Sequence, residues 1–187
     1  IFNCLNSIQN FILENDSDAA VLYLAKFAKL VRTALQVSVA GQVSLEEEIR
    51  MLDNYLALEK LRFKQIFEYD IEVDESLDRA GTLLPPLIVQ PFVENAVLHG
   101  MKGKEKDGHI WVSFQREDGY LHITVQDDGG GLHPTVTAAG KASLGRSITR
   151  RRLELLEQQN KHAAITVKYL AGEIGTGVQI RLPLTGS

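Results

Sequence analysis

Apolar residues recur every three or four positions through the first 64 residues, a stretch with no proline and a single glycine, Gly41. Phe2, Leu5, Ile8, Phe11 and Ile12 mark one apolar helix face, and Val21, Leu24, Phe27, Ala28, Val31 and Leu35 mark another. The Glu14-Asn15-Asp16-Ser17-Asp18 cluster breaks or bends this region, and Gly41 ends it. Ser44-Leu45-Glu46-Glu47 reads as a capping box, in which the serine hydroxyl and the Glu47 carboxylate satisfy free amides at a helix start. The helix it opens runs from about Leu45 to Phe63, with Ile49, Leu52, Leu56 and Leu61 apolar. A pair of long helices cannot bury all of this surface alone. It forms either a helical subdomain packed on the rest of the chain or half of a dimeric four-helix bundle.

After Phe63 the period falls to two. Residues 67–74, 110–114 and 121–125 alternate like strands with one wet face, and Glu117-Asp118-Gly119 joins the last two as a hairpin. Pro85-Pro86 is expected to open a helix from about Leu87 to Leu98, and a further helix is expected from about Ser147 to Gln159. Residues 165–167 and 178–182 supply closing strands around Gly175-Thr176-Gly177. The expected fold is α+β, an N-terminal helical hairpin followed by an α/β sandwich with helices on one face of a mixed or antiparallel sheet. The boundary is placed near Lys64, giving units 1–64 and 65–187.

Composition narrows the function. The chain has 187 residues, 44% hydrophobic and 24% charged, with a formal charge of −4. Such a balance offers no concentrated basic face, so a nucleic-acid partner is not expected. A single cysteine, Cys4, excludes an internal disulfide framework and fits a reducing compartment. No apolar run approaches the roughly 20 residues needed to span a bilayer. The first residues already read as helix interior with no start signal, so a fragment of a longer protein is expected.

Two stretches carry chemistry. Gln90-Pro91-Phe92-Val93-Glu94-Asn95-Ala96-Val97-Leu98-His99-Gly100 puts a Glu-Asn pair on a largely apolar helix, and Asp127-Asp128-Gly129-Gly130-Gly131 ends a strand in acid and glycine. Asn95 alone reads as an ordinary buried helix asparagine. Beside Glu94, a possible base or partner of metal-bound water, it becomes a candidate magnesium ligand, since magnesium takes a few protein oxygens plus waters and phosphates. Asp127 could merely cap a turn. With Asp127, Gly129 and Gly131 at alternate positions, its carboxylate can instead point into a cavity while Gly129 lets a flat base approach the backbone; Asp128 is expected to be solvated. Residues 132–144 lose apolar periodicity before the next helix start, as a lid ending at a phosphate-binding helix N-terminus would.

These residues resemble the boxes of a known family. Gln90 to Gly100 is similar to the N box, and Asp127, Gly129 and Gly131 to the Asp-x-Gly-x-Gly box, of the LytS/YehU-type sensor histidine kinases of two-component systems. Ser143-Leu144-Gly145 with Ile148-Thr149 and Arg152-Leu153 resembles a variant second glycine box, and Gly175-Thr176-Gly177 with Leu182-Pro183 the closing strand. Asn3, Leu5, Asn6 and Ser7, then Ser44 to Glu48, Tyr55, Glu59 and Arg62-Phe63, follow that group's dimerisation region. The resemblance implies a Bergerat-fold ATP domain shared with DNA gyrase and heat-shock chaperone ATPases. It implies ATP and Mg2+ as cofactors, with Asn95 on the metal, Glu94 assisting there and Asp127 accepting from the adenine amino group. Gly129 and Gly131 would shape the pocket, with Ser143, Gly145 and Thr176 along the nucleotide. Lys141 and Arg146 are phosphate contacts by charge alone. A homodimer through the N-terminal helices, a response regulator receiver domain as partner, and a membrane-anchored sensor with this part in the cytoplasm are likewise implied.

The departures are specific. By register the phosphate-accepting histidine would lie two residues upstream of Ile1, and all five histidines, His99, His109, His122, His133 and His162, fall in the second unit. Asn3 would lie one helical turn after that histidine, where its amide could position phosphate or water. Ser143 and Ile148 replace a common glycine and asparagine of the second glycine box, and Val178 a frequent threonine. The leading expectation is a histidine kinase core. The alternatives are an ATP-driven clamp of the chaperone or topoisomerase kind and a dimerising scaffold with a degenerate pocket.

Overall fold

The computed structural model describes residues 2–38, 41–101, 103–129, 166–171 and 175–184. Three helices come first: α1 (Phe2–Leu13), α2 (Ser17–Ser38) and α3 (Leu45–Arg62). The acidic cluster therefore breaks the first helical region in two rather than bending it. Asn15 turns through a left-handed φ of 57°, and Asp16 caps α2 by accepting from the Ala19 amide at 3.0 Å. Phe11 of α1, Ala20 and Tyr23 of α2 and Leu58 of α3 close a small core, with the Phe11 and Tyr23 rings 5.7 Å apart.

The capping box forms as the sequence requires. The Ser44 hydroxyl accepts from the Glu47 amide at 3.2 Å, and the Glu47 carboxylate accepts from the Ser44 amide at 3.0 Å. The chain leaves α3 through Lys64 and Gln65, both left-handed at φ 50° and 62°.

Strands β2 (Phe67–Val73), β4 (Gly108–Glu117), β5 (Tyr120–Asp127), β6 (Thr166–Ala171) and β7 (Thr176–Pro183) form one sheet in the order β2-β4-β5-β7-β6. The sheet is mixed: β2 runs parallel to β4 and every other neighbour is antiparallel. Asp118 and Gly119 turn the β4–β5 hairpin with φ of 50° and 77°, the left-handed pair a two-residue hairpin loop demands. A short ribbon, β1 (Val43–Ser44) with β3 (Leu83–Leu84), ties the start of α3 to the chain entering the next helix.

That helix departs from expectation. Pro85-Pro86 does not open it, and Leu87 is left-handed at φ 59°. α4 is only Gln90–Asn95, with Pro91 in its first turn, and it passes directly into a π-helical turn, Ala96–Gly100.

One side of the sheet is covered. Ile110, Val112, Phe114, Leu121, Ile123, Val125, Ile180 and Leu182 face Leu45, Leu52 and Leu56 of α3, Phe92 and Val93 of α4, and Val97 of the π turn. Each such side chain contributes about 1.5–3 kcal/mol on burial. The cut at Lys64 thus falls between elements but not between cores, because α3 shares its apolar face with the sheet.

Candidate functional site

Period-two alternation along β5 turns Leu121, Ile123 and Val125 inward, so Asp127 at the strand's end also faces in. It is 3% exposed. A buried carboxylate needs donors, and among the described residues Asp127 has two: Oδ1 accepts from the Gly129 amide at 3.0 Å, and Oδ2 from the Thr176 hydroxyl at 2.5 Å. Thr176 is delivered by sheet register, since it stands directly opposite Asp127 on β7. Carboxylate oxygens have about four acceptor positions, so a further donor can still be received.

Three glycines pack round this acid. A Cβ at Gly100 would lie 2.5 Å from Asp127 Oδ1, and one at Gly129 would lie 2.2 Å from the Gly100 carbonyl oxygen. Gly175, left-handed at φ 82°, would place a Cβ 1.7 Å from the Asp127 carbonyl oxygen. The Cβ side of Gly129 is therefore taken by the backbone of Gly100, and the end of the π turn and the end of β5 meet main chain to main chain.

The helix carrying Glu94 and Asn95 is set by its buried stripe. Phe92, Val93, Ala96 and Val97 point into the core, which leaves Glu94 exposed and Asn95 half-buried. Gln90 Nε2 donates to Glu94 Oε1 at 3.2 Å across one turn. Asn95 is the last α-helical residue before the π turn, and such turns are frequent at functional sites. His99 lies on the exposed side of that turn.

Asp128 is only partly solvated, with its carboxylate also bonded on both oxygens. Its Oδ1 accepts from the His109 amide at 2.8 Å and its Oδ2 pairs with Lys104 Nζ at 2.8 Å, fastening the 101–108 connection to the end of β5.

Beneath the helix lies a second buried acid. Glu59 of α3 contacts Arg62, whose guanidinium also covers the Phe63 ring at 4.2 Å from its centre. Burial pushes the Glu59 carboxyl above its ordinary range, Arg62 opposes the shift, and the charge of Glu94 adds to it. Glu94 is thus close enough to α3 to be felt there.

Of the residues singled out from sequence, Glu94, Asn95, Asp127, Gly129 and Thr176 are described, and Gly100, Asp127, Gly129 and Thr176 join in one cluster. Asn3 lies on α1. Gly131, Ser143 and Gly145, with Lys141, Arg146, the stretch 132–144 and the helix expected at 147–159, fall outside the described residues. Sequence reasoning missed the packing roles of Gly100 and Gly175 and the contact of Lys104. A glycine ending a helical apolar pattern was the available signal for Gly100.

Comparison with known proteins extends these observations. Residues 1–67 match the histidine kinase family model, and residues 84–186 match the model described as histidine kinase-, DNA gyrase B- and HSP90-like ATPase. The sensor protein LytS of Streptococcus mutans is 37% identical over 112 residues, 60% of this chain and 19% of that protein. LytS of Staphylococcus saprophyticus is 32% identical over 111 residues, 59% of this chain and 18% of that protein. The aligned part spans about a fifth of the length of these relatives. Among solved structures, the histidine kinase domain of the Erythrobacter litoralis EL346 blue-light activated histidine kinase superposes with a TM-score of 0.61 at 17% identity. That match covers 98% of this chain and 94% of that one. The catalytic domain of histidine kinase ThkA gives 0.53 at 16% identity over 78% of this chain and 97% of that one. At such identities the structural likeness concerns the fold, which is that of histidine kinase catalytic domains. The chain belongs to the histidine kinase-, DNA gyrase B- and HSP90-like ATPase family, its first 67 residues match the histidine kinase model, and among curated proteins it is similar to LytS sensor proteins.

Proposed function

We propose that this chain is the kinase core of a two-component sensor, binding Mg-ATP and passing its γ-phosphoryl group to a histidine upstream of Ile1 for relay to an aspartate of a response regulator receiver domain. The observation that carries the reading is the buried Asp127, held by the Gly129 amide and the Thr176 hydroxyl against Gly100 of the helix that bears Glu94 and Asn95. Three segments far apart in sequence converge on one acceptor. In this reading Asp127 receives the adenine amino group, with Thr176 fixing the carboxylate's orientation.

Asn95 holds magnesium through its amide oxygen and Glu94 assists there. The donor set fits that ion. Magnesium takes a few protein oxygens beside waters and nucleotide phosphates, and the half-buried Asn95 next to the exposed Glu94 offers such oxygens. Magnesium neutralises charge on the phosphates when bound, and the chain's share of the work is positioning and charge placement. By their match to the family's glycine boxes Gly131, Ser143 and Gly145 are assigned to the nucleotide, and Asn3 to the phosphotransfer step.

Residues 1–64 serve dimerisation and phosphotransfer and 65–187 bind nucleotide, with α3 packed on both. Val21, Leu24 and Leu35 on α2 are 68%, 51% and 64% exposed, a stripe that fits burial against a second copy. The intact protein is anchored in the membrane with this part cytoplasmic; among the described residues no helix is long and apolar enough to cross a bilayer.

Calorimetric titration with ATP, with and without magnesium, tests the reading. Wild type is expected to bind in a magnesium-dependent way, and Asp127→Asn and Asn95→Ala each to lose tenfold or more, about 1.4 kcal/mol. A folded wild type giving no heat at millimolar nucleotide overturns it.

A further inference from the structure

α4 has no cap of its own. Val89 stands at its N-cap position and has no side-chain acceptor to give. The acceptors come from α3, 39 and 41 residues earlier in the chain: Glu48 Oε2 accepts from the Leu87 amide and Oε1 from the Val89 amide, both at 3.1 Å. Glu48 is fully buried. One of the amides it holds belongs to Leu87, whose left-handed backbone costs about 1–2 kcal/mol and persists only where its surroundings impose it. The same end of α3 is bonded to the incoming chain elsewhere. Leu45 donates to the Thr82 carbonyl at 2.8 Å and Glu46 to the Arg79 carbonyl at 2.9 Å, beside the β1–β3 ribbon.

A six-residue helix has almost no stability by itself, so its place is set jointly by its buried stripe and by what holds its two ends. The far end is the Gly100–Gly129 contact. The near end is Glu48, and Glu94 and Asn95 lie between. We propose that Glu48 is a positioning residue of the nucleotide site, fixing the helix that presents Asn95 and Glu94 to the metal and phosphates; this rests on the nucleotide reading above. α3 then forms part of the catalytic unit and transmits any shift of its own axis to the metal side of the pocket.

The test compares Glu48→Ala and Glu48→Gln with wild type in the whole chain, reading hydrogen exchange at Leu87 and Val89 and ATP affinity with and without magnesium. Ser44→Ala is the control, since it weakens the start of α3 without touching either amide. Glu48→Ala is expected to expose both amides and to weaken Mg-ATP about tenfold or more, the scale of leaving buried donors unpaired, while magnesium-free ATP, held through Asp127, changes less than about threefold. Glu48→Gln keeps one acceptor oxygen and is expected to fall between, protecting one amide; it carries the test if Glu48→Ala does not fold. Mg-ATP affinity within about twofold of wild type in a folded variant overturns the proposal. So does an equal loss with and without magnesium, the pattern of general loosening. A wild type that binds no nucleotide instead overturns the nucleotide reading, and this proposal with it.

Discussion

Gly129→Ala isolates the contact on which the site is built. The added Cβ would stand 2.2, 2.4 and 2.6 Å from the carbonyl oxygen, Cα and carbonyl carbon of Gly100. Ordinary carbon contacts lie near 3.5–4.0 Å, so the end of β5 and the π turn must part by roughly 1 Å or more. Overpacking of this kind costs about 1–3 kcal/mol, and the upper end applies because backbone meets backbone and no side chain can swing aside. A domain of ordinary stability, about 5–15 kcal/mol, would still fold. The separation also pulls at the Gly129 amide that Asp127 accepts from at 3.0 Å, so ATP affinity should fall about tenfold. Gly103→Ala is the comparison: its φ is 83° with nothing within 4 Å, so it carries backbone strain of about 1–2 kcal/mol and no clash. Urea unfolding gives both stabilities and calorimetry both affinities. If Gly129→Ala costs no more than Gly103→Ala and binds ATP as wild type does, the argument that main-chain packing shapes this site is wrong.

Arg62→Met strands the buried Glu59 carboxylate and should cost about 2–4 kcal/mol at pH 7, somewhat less than a fully buried pair because Arg62 keeps 17% of its side chain in solvent. Since burial already raises the Glu59 pKa, its penalty is absent below the unfolded value of 4.5 and grows as pH rises through the folded one. The variant's deficit should therefore shrink on acidification from pH 7 toward 4.5, and a pH-independent deficit in thermal melts would count against the pair. Ser44→Ala should cost about 0.5–2 kcal/mol by chemical denaturation with nucleotide affinity unchanged. The Ser44 amide and hydroxyl hold the Glu47 pKa below its usual value, so the box stabilises above the unfolded pKa of 4.5 and fades as pH falls through the folded one. Ser44→Ala keeps the amide and loses only the hydroxyl, so that acid limb should shrink in part and not vanish. The double variant Val21→Glu with Leu24→Glu should convert a dimer to a monomer in sedimentation equilibrium while changing monomer stability by no more than about 0.5 kcal/mol per site, as exposed positions do.

What the sequence disclosed and what it hid divide along one physical line. Period-two alternation is a local property, and it was enough to turn Asp127 inward and to draw four of the sheet's five long strands near their observed bounds. Capping is local too, and Ser44 with Glu47 announced the start of α3. The hairpin at Asp118-Gly119 declared its left-handed turn by residue type alone. The features that shape the site are not local. Ala96–Gly100 is composed like any helix end, yet it winds as a π turn whose last residue, Gly100, packs on Gly129. Leu87, Lys64 and Gln65 take left-handed backbone with no glycine to signal it. Glu48 is one of three consecutive glutamates with no local mark to set it apart, although α3's register buries it wholly against a helix that begins some forty residues later. At Gly129 the motif records that space is needed and not that the Gly100 backbone packs where a side chain would stand. The candidate chemistry is therefore legible one residue at a time. Its geometry rests on contacts between distant segments, the Gly100–Gly129 and Gly175–Asp127 packing and the Glu48 carboxylate on the Leu87 and Val89 amides, which no local pattern records.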